Sequence, residues 1–275
     1  MTFFKSLLKL LKEGEKIRVF KTVYCNFKLF PFSKAKHLPL FIYGKAELNI
    51  ARGAIELCPS FLSPGLIKVG CHKSHALWGK QPAYMTVVNI LGHWMCKGAV
   101  QISNGTLFKV GESARLITGH DVHIGPNCKL VCEKAITMGR RIRISWESQI
   151  FDTDFHYAIR NNTIHCNKAP VAIGDYCWIG NRVTVMKGSV LPNKSVVASN
   201  SMVNKDFGSQ PEGCLVYGMP ANCKPVGIHR LFADGALDAD ISKYFEETGE
   251  TSISAGAPAY DAFFRRSLEY KDSVR

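Results

Sequence analysis

The sequence predicts a mainly β fold, a solenoid of short strands wound in triangular coils, and three observations predict it. From Ile173 an aliphatic residue returns at every sixth position: Ile179, Val185, Leu191, Val197 and Val203. Four positions after each of the first five stands a compact residue, namely Cys177, Val183, Ser189, Ser195 and Ser201. Glycine follows the first two aliphatic residues, as Gly174 and Gly180. A period of six matches neither an amphipathic helix nor a half-buried strand. It suits a chain that turns a corner on each repeat, with the aliphatic residue inward and the compact residue beside the corner. Neighbouring coils then fill the interior.

The segments follow in order. Residues 1–20 are expected to form an N-terminal amphipathic helix. Within it TFFKSLLKLLKE, residues 2–13, puts Phe4, Leu7, Leu8 and Leu11 on one helical face among lysines. That face is expected to pack on the end of the solenoid; contact with an anionic membrane surface is the alternative. Residues 21–100, with apolar runs such as LPLFIYG and YMTVVNI, read as irregular early coils or sheet. Residues 101–227 carry the solenoid. Its upstream part steps through Ile102, Val110, Leu116, Ile124, Leu130, Met138, Ile144 and Ile150 at intervals of six or eight, the longer steps implying a longer corner. Between Ile150 and Ile173 the repeat stops, and residues 151–172 leave the coil as a loop. Asn161-Asn162 is turn material there and Pro170 marks re-entry. Such an excursion commonly forms a binding face. In residues 228–275, DADISKYFEE and DAFFRRSLEY read as two short helices.

With 46% hydrophobic and 21% charged residues, the 275-residue chain reads as a globular protein with a real core, not a disordered one. Its net charge of +13 favours an anionic partner. Nucleic acid is not expected, because no basic cluster with interleaved aromatics and no zinc-finger or helix-turn-helix pattern is present. No apolar run is long enough to span a bilayer and no secretory signal is evident. The expected location is cytoplasmic, with peripheral contact at the inner membrane face as an option. The ten cysteines include no CxxC pair and are expected to stay reduced. Cys128 with Cys132, and Cys71 with His72 and His75, lack the usual zinc spacing, so no metal is expected.

The stretch VAIGDYCWIGNRVTVMKGSVLPNKSVVASNSMVNKDF, followed by YGMPA, resembles the hexapeptide-repeat acyltransferases. It is most similar to bacterial O-acetyltransferases acting on sugars and surface polysaccharides. The resemblance covers roughly Val110 to Val226 and weakens from Lys21 to Gly111. It implies a left-handed parallel β-helix, a homotrimer with active sites between adjacent subunits, and acetyl-CoA as donor. DTDFH, residues 152–156, matches the place where such enzymes carry a catalytic histidine.

Acetyl transfer from a thioester to a hydroxyl needs a base and donors for the developing oxyanion. In WESQIFDTDFHYAI, residues 146–159, acids crowd a histidine in an otherwise basic chain. His156 is the candidate base. Asp154, and after it Asp152, are candidates to orient its ring, or to bind acceptor hydroxyls. Trp146, Glu147 and Tyr157 are candidates to meet the sugar. The resemblance places Trp178 in the donor groove and assigns Ala198, Ser199 and Asn200 to contact the pantetheine arm. Here Asn200 replaces a usual glycine, which puts the backbone contacts in question. Lys205 and Lys224 are candidates for the donor phosphates. Gly218 and Pro220 are expected to end the last coil. Three other readings stay open. One is a nucleotide-sugar N-acetyltransferase. Another is a γ-carbonic-anhydrase-like metal enzyme, for which His120 and His123 are the close pair within the repeats. The third is a non-catalytic solenoid.

Overall fold

A corner every six residues demands a residue that can reverse the chain. In the computed structural model, Tyr176, Arg182, Gly188, Lys194 and Asn200 all have positive φ, between 56° and 75°. Each stands three positions before an inward aliphatic residue. This left-handed conformation costs L-residues other than glycine roughly 1–2 kcal/mol, which the stacking of coils offsets. The compact residues beside the corners are buried, Cys177, Val183, Ser189 and Ser195 completely. Several also satisfy corner carbonyls: Ser189 Oγ donates to Val203 O at 2.9 Å and Ser195 Oγ to Pro192 O at 2.7 Å. Small size leaves room for the turning backbone, and the hydroxyl adds a second donor to a carbonyl that Met186 N or Cys177 Sγ also reaches.

The structure describes residues 3–12, 17–71, 84–228, 230–231 and 235–273. The chain visits three parallel sheets in strict rotation. The first face includes Val122–Ile124, Arg143–Ile144, Trp178–Ile179 and Val196–Val197; the second includes Lys129–Cys132, Gln149–Phe151, Thr184–Val185 and Met202–Val203. The third includes Ala135–Met138, Val171–Ile173 and Val190–Leu191. Register aligns the inward residues in columns. On the first face Ile42, Val69, Ile102, Ile124, Ile144, Ile179, Val197 and Val216 succeed one another. Burying each such side chain contributes about 1.5–3 kcal/mol.

The β-helix solenoid expected from the period is therefore the fold. The eight-residue steps have a different origin from the one expected. Leu107–Val110, Arg115–Thr118, Lys129–Cys132 and Ala135–Met138 are longer sides on which alternate residues point inward, as Phe108 with Val110 and Ile136 with Met138. The extra pair lengthens the side, not the corner. The described strands from Leu40 to Cys96 join the same three sheets, with a register shift between Val69 and Cys71.

Both ends of the solenoid are closed. Helix α1 spans Phe3–Lys12, α2 Val19–Leu29 and α3 Phe32–Ala35. Helix α2 covers the first strand, Leu40–Ile42, by completing its backbone pairing. Asn26 Nδ2 donates to Leu40 O at 2.7 Å and Leu40 N donates to Asn26 Oδ1 at 3.0 Å. Ile42 N donates to Thr22 Oγ1 at 3.1 Å. This caps an edge that would otherwise template further pairing. At the other end Cys214–Tyr217 pairs antiparallel with Asn222–Pro225. Gly218, at φ 97°, opens the reversing turn. Residues 230–275 form a separate unit. Within it, helices Gly235–Thr248 and Pro258–Ser273 are joined by an Arg266–Asp240 ion pair at 2.7 Å and by edge-on packing of Tyr244 on Phe263.

Candidate active site

Between the second and third faces the chain leaves the coil at Phe151 and re-enters at Val171. Asp152 anchors the departure. It is fully buried. Its carboxylate accepts backbone N–H bonds from Glu133, Lys134 and Ala135, each at 2.7 Å, in the corner of the preceding coil. The two arms of the loop are closed by Ala169 N to Asp152 O at 3.0 Å and Asp154 N to Asn167 O at 2.8 Å. Beyond them Ile159–Arg160 pairs with Thr163–Ile164. Asn161 and Asn162 make the connecting turn at φ 50° and 58°, as a two-residue hairpin of this hand requires.

His156 sits on a tight turn within this loop. Its backbone N–H donates to Asp154 O at 2.7 Å, and Phe155 N donates to Thr153 Oγ1 at 2.9 Å. Phe155, at φ 62°, rests edge-on against Phe151. The His156 ring is exposed, as is Tyr157. Neither carboxylate expected to orient the imidazole touches it. Asp152 is engaged with its three amides, and Asp154 pairs with Lys187 Nζ at 2.8 Å. Lys187, from the corner of the following coil, also donates to Cys166 O at 2.7 Å and so ties both arms down. Below the loop Glu133 meets Lys109 at 2.9 Å and Lys168 at 3.6 Å. Burial pushes the Glu133 carboxyl up, but the two lysines outweigh it and hold the group below its usual range.

A second group of expected residues gathers at the edge between the first and second faces, over successive coils. Trp178 projects from the first face, 39% exposed, and its Nε1 donates to Ser145 Oγ at 3.2 Å. Glu147, at φ 60°, is a corner residue whose Oε2 accepts from Arg182 Nε at 2.7 Å. Arg182 N donates to the carbonyl of Trp146 at 3.2 Å. One coil later Ser199 Oγ bonds Asn181 Oδ1, and Asn200 N donates to Asn181 O at 3.1 Å. Ala198 N donates to Val216 O at 2.8 Å. Asn200 takes φ 59°, the left-handed corner position for which asparagine is among the better-suited non-glycine residues. The replaced glycine thus leaves the coil undisturbed.

Most of the expected set of one chain therefore divides between two edges. His156, Asp154, Asp152 and Tyr157 lie at the second–third edge; Trp146, Glu147, Trp178, Ala198, Ser199 and Asn200 lie at the first–second edge. Lys205 is exposed beside the third face, where its carbonyl accepts from Val190 N. Lys224 is exposed on the closing hairpin, opposite Leu215. The sequence reading missed Lys187 and Glu133. Their signal was positional, since both occupy the corner that the loop interrupts, one coil to either side.

The histidines and thiols weighed as metal ligands have other partners. His120 Nδ1 accepts from Ala99 N at 3.1 Å and its ring stacks on Phe61. His123 lies 3.7 Å from Asp121. Cys128 and Cys132 are buried and donate to Ser145 O and Arg115 O. Among the described residues no group of three or more His, Cys, Asp or Glu is placed to hold a metal ion. His72 and His75 lie outside the described residues. Among the described residues no helix is long and apolar enough to cross a membrane.

No family model matches the chain. A 24.8 kDa uncharacterized protein in the cps region of Klebsiella pneumoniae is 33% identical over 134 residues, 49% of this chain and 59% of that protein. The putative lipopolysaccharide biosynthesis O-acetyl transferase WbbJ of Escherichia coli K12 is 28% identical, over 37% of this chain and 55% of that one. The galactoside O-acetyltransferase of the same organism is 27% identical, over 45% and 64%. O-acetyltransferases are among its relatives. The chain spans less than two thirds of the length of these three relatives. Among solved structures, the polySia specific acetyltransferase NeuO covers 60% of this chain and 78% of that chain, at 21% identity and a TM-score of 0.47.

Proposed function

We propose that the protein is an acetyl-CoA-dependent O-acetyltransferase acting on a sugar hydroxyl of a glycan, polysaccharide precursor or small saccharide. The observation that carries the reading is the loop of residues 152–170, which interrupts the solenoid only to present an exposed His156 from a braced turn. The O-acetyltransferase relatives support the reaction class. In the mechanism, the neutral imidazole of His156 takes the proton of the acceptor hydroxyl as that oxygen attacks the thioester carbonyl. The tetrahedral intermediate then expels the thiolate of coenzyme A, which receives the proton from the imidazolium. No acyl-enzyme is needed. Asp154 and Lys187 act as positioning residues: their ion pair and the Asp154 carbonyl fix the backbone that bears His156. Asp152 supports the same turn from the coil below.

The donor is assigned to the first–second edge, where Trp178 and the Ala198–Asn200 corner flank one surface, with Lys224 as a candidate for its phosphates and Lys205, beside the third face, a candidate only from a neighbouring copy. Because one chain keeps base and donor surface on different edges, a neighbouring copy is the natural source of the missing half. A homotrimer of parallel solenoids supplies it three times over. Exposed Phe155, Ile159 and Ile164 on the loop give that neighbour an apolar contact. The test is His156→Ala, assayed for acetyl-CoA turnover against a panel of glycans and nucleotide sugars. Transfer is expected to fall by about 10²–10⁴-fold with the oligomer intact. Unchanged turnover would remove His156 from the chemistry.

A further inference from the structure

Contrary to the expectation that the chain has no basic cluster with interleaved aromatics, the N-terminal helices present one as a face, and its orientation departs from the one expected. Helix α1 buries Ser6 and Leu10, and Leu7 packs against the same small cluster with Leu38, Phe41 and Tyr43. Its more apolar stripe points outward: Phe4 is 66%, Leu8 41% and Leu11 58% exposed. Helix α2 repeats the pattern. It buries Thr22, Cys25, Asn26 and Leu29 to cap the first strand. At i, i+4 and i+7 it exposes Phe20 (93%), Tyr24 (63%) and Phe27 (40%). The stripes join, because the rings of Phe3 and Phe27 lie edge-on at 5.8 Å and Phe27 is 6.1 Å from Phe32. Monomeric soluble proteins seldom expose so continuous an apolar surface without a partner.

Charge selects the partner. Residues 1–46 contain ten Lys and Arg against two acids, Glu13 and Glu15, and so hold eight of the chain's thirteen net positive charges. Lys5, Lys9 and Lys28 are exposed on the same helices. Aromatics with lysines around them suit the headgroup level of a bilayer, where the rings enter the interface and the ammonium groups meet lipid phosphates. A purely apolar protein partner would leave these lysines facing it without counter-charge. We propose that this end cap docks on an anionic lipid bilayer, holding the solenoid at the membrane surface without spanning it. The inference is independent of the acetyltransferase reading.

The test is co-sedimentation of the full chain with phosphatidylcholine vesicles, with and without phosphatidylglycerol, across a salt series. Binding is expected only to the anionic vesicles and is expected to weaken as salt rises. The Lys5→Gln/Lys9→Gln/Lys28→Gln variant should bind about fivefold more weakly per lysine, on the order of a hundredfold in all. Phe4→Ser/Leu8→Ser/Phe20→Ser, which alters exposed side chains only, should lose binding while keeping its circular dichroism. Absence of binding, equal binding to neutral vesicles, or wild-type binding by both variants overturns the proposal. So does a change of oligomeric mass in the apolar variant, which would place this face between copies of the chain.

Discussion

Asp152→Asn separates a structural from a catalytic role for the acid nearest the start of the loop. The wild-type carboxylate is fully buried and receives three backbone N–H bonds at 2.7 Å. Hydrogen bonds to a charged group are worth about 1.5–3 kcal/mol each. The amide keeps one oxygen for Glu133 or for the Lys134–Ala135 pair, and turns an NH₂ donor toward whichever is left. At least one buried donor is then unsatisfied and faces another donor. Incomplete additivity brings the expected loss to about 3–5 kcal/mol of global stability. Urea unfolding followed by circular dichroism reads it directly, with His156→Ala as the control whose midpoint should not move. Acetyl transfer per folded molecule should fall less in Asp152→Asn than in His156→Ala, because the acid supports the turn and does not touch the imidazole. A variant with wild-type stability and a transfer rate as low as that of His156→Ala would refute this reasoning and return Asp152 to the catalytic machinery.

The corner rule predicts that Asn200→Gly is nearly neutral, whereas Asn200→Val, forcing a β-branched residue to φ 59°, loses about 2 kcal/mol in the same unfolding assay. Burial pushes the Asp121 carboxyl up, but Arg143, at 2.8 Å, together with His123 and Arg141, outweighs it and holds the group below its usual value of 3.8. Glu133 is likewise held below 4.5. Folded-state values below the unfolded ones mean stability that is complete above those unfolded values and lost as pH falls through the folded ones. Unfolding midpoints should therefore be flat above about pH 5 and drop in acid, and Arg143→Met should lower the neutral-pH plateau by about 3 kcal/mol. Burial pushes the thiols of Cys96, Cys128 and Cys177 up to about 12, so a thiol reagent should label exposed Cys166 first and reach these three only on unfolding.

The coil was legible because its rule is local. An inward Ile179 or Val197 and a small Cys177 or Ser195 are demanded by the same corner on every repeat, so five corners state the rule five times. The Asn161-Asn162 turn was legible for the same reason. The bond partners of Asp152 were not, since they come from residues 133–135, which are adjacent only after one whole coil has been wound. The outward face of α1 was hidden for a different reason. Helical periodicity shows that Phe4, Leu8 and Leu11 share a side, but not that the solenoid would take the Ser6–Leu10 side instead. The side taken is the one that sets Leu10 and Leu7 against Leu38, Phe41 and Tyr43, residues that come together only in the fold. The eight-residue steps were ambiguous by nature: an added pair keeps the inward alternation whether it lengthens a side or a corner.

The position of the loop follows from the way a solenoid divides its work. Leaving the coil at Asp152 and returning at Pro170 does not disturb the columns, because Ile150 still lies between Leu130 and Val185, and Ile173 between Met138 and Leu191. Each coil contacts only its neighbours, so an insertion at a corner needs new partners only from the corners above and below. The chain supplies them: Glu133, Lys134 and Ala135 on one side, Lys187 and Gly188 on the other. Stability thus resides in the inward columns, and the outward edges are free to carry chemistry. A three-sided prism that places its proposed base on one edge and its proposed donor surface on the next cannot bring them together by bending, since the second face lies rigidly between them. The proposed apposition of a second copy, edge to edge, would unite the two groups without deforming either. In that arrangement the same rigidity that separates the two groups within a chain fixes their distance between chains, which is what a base acting on a bound acceptor requires.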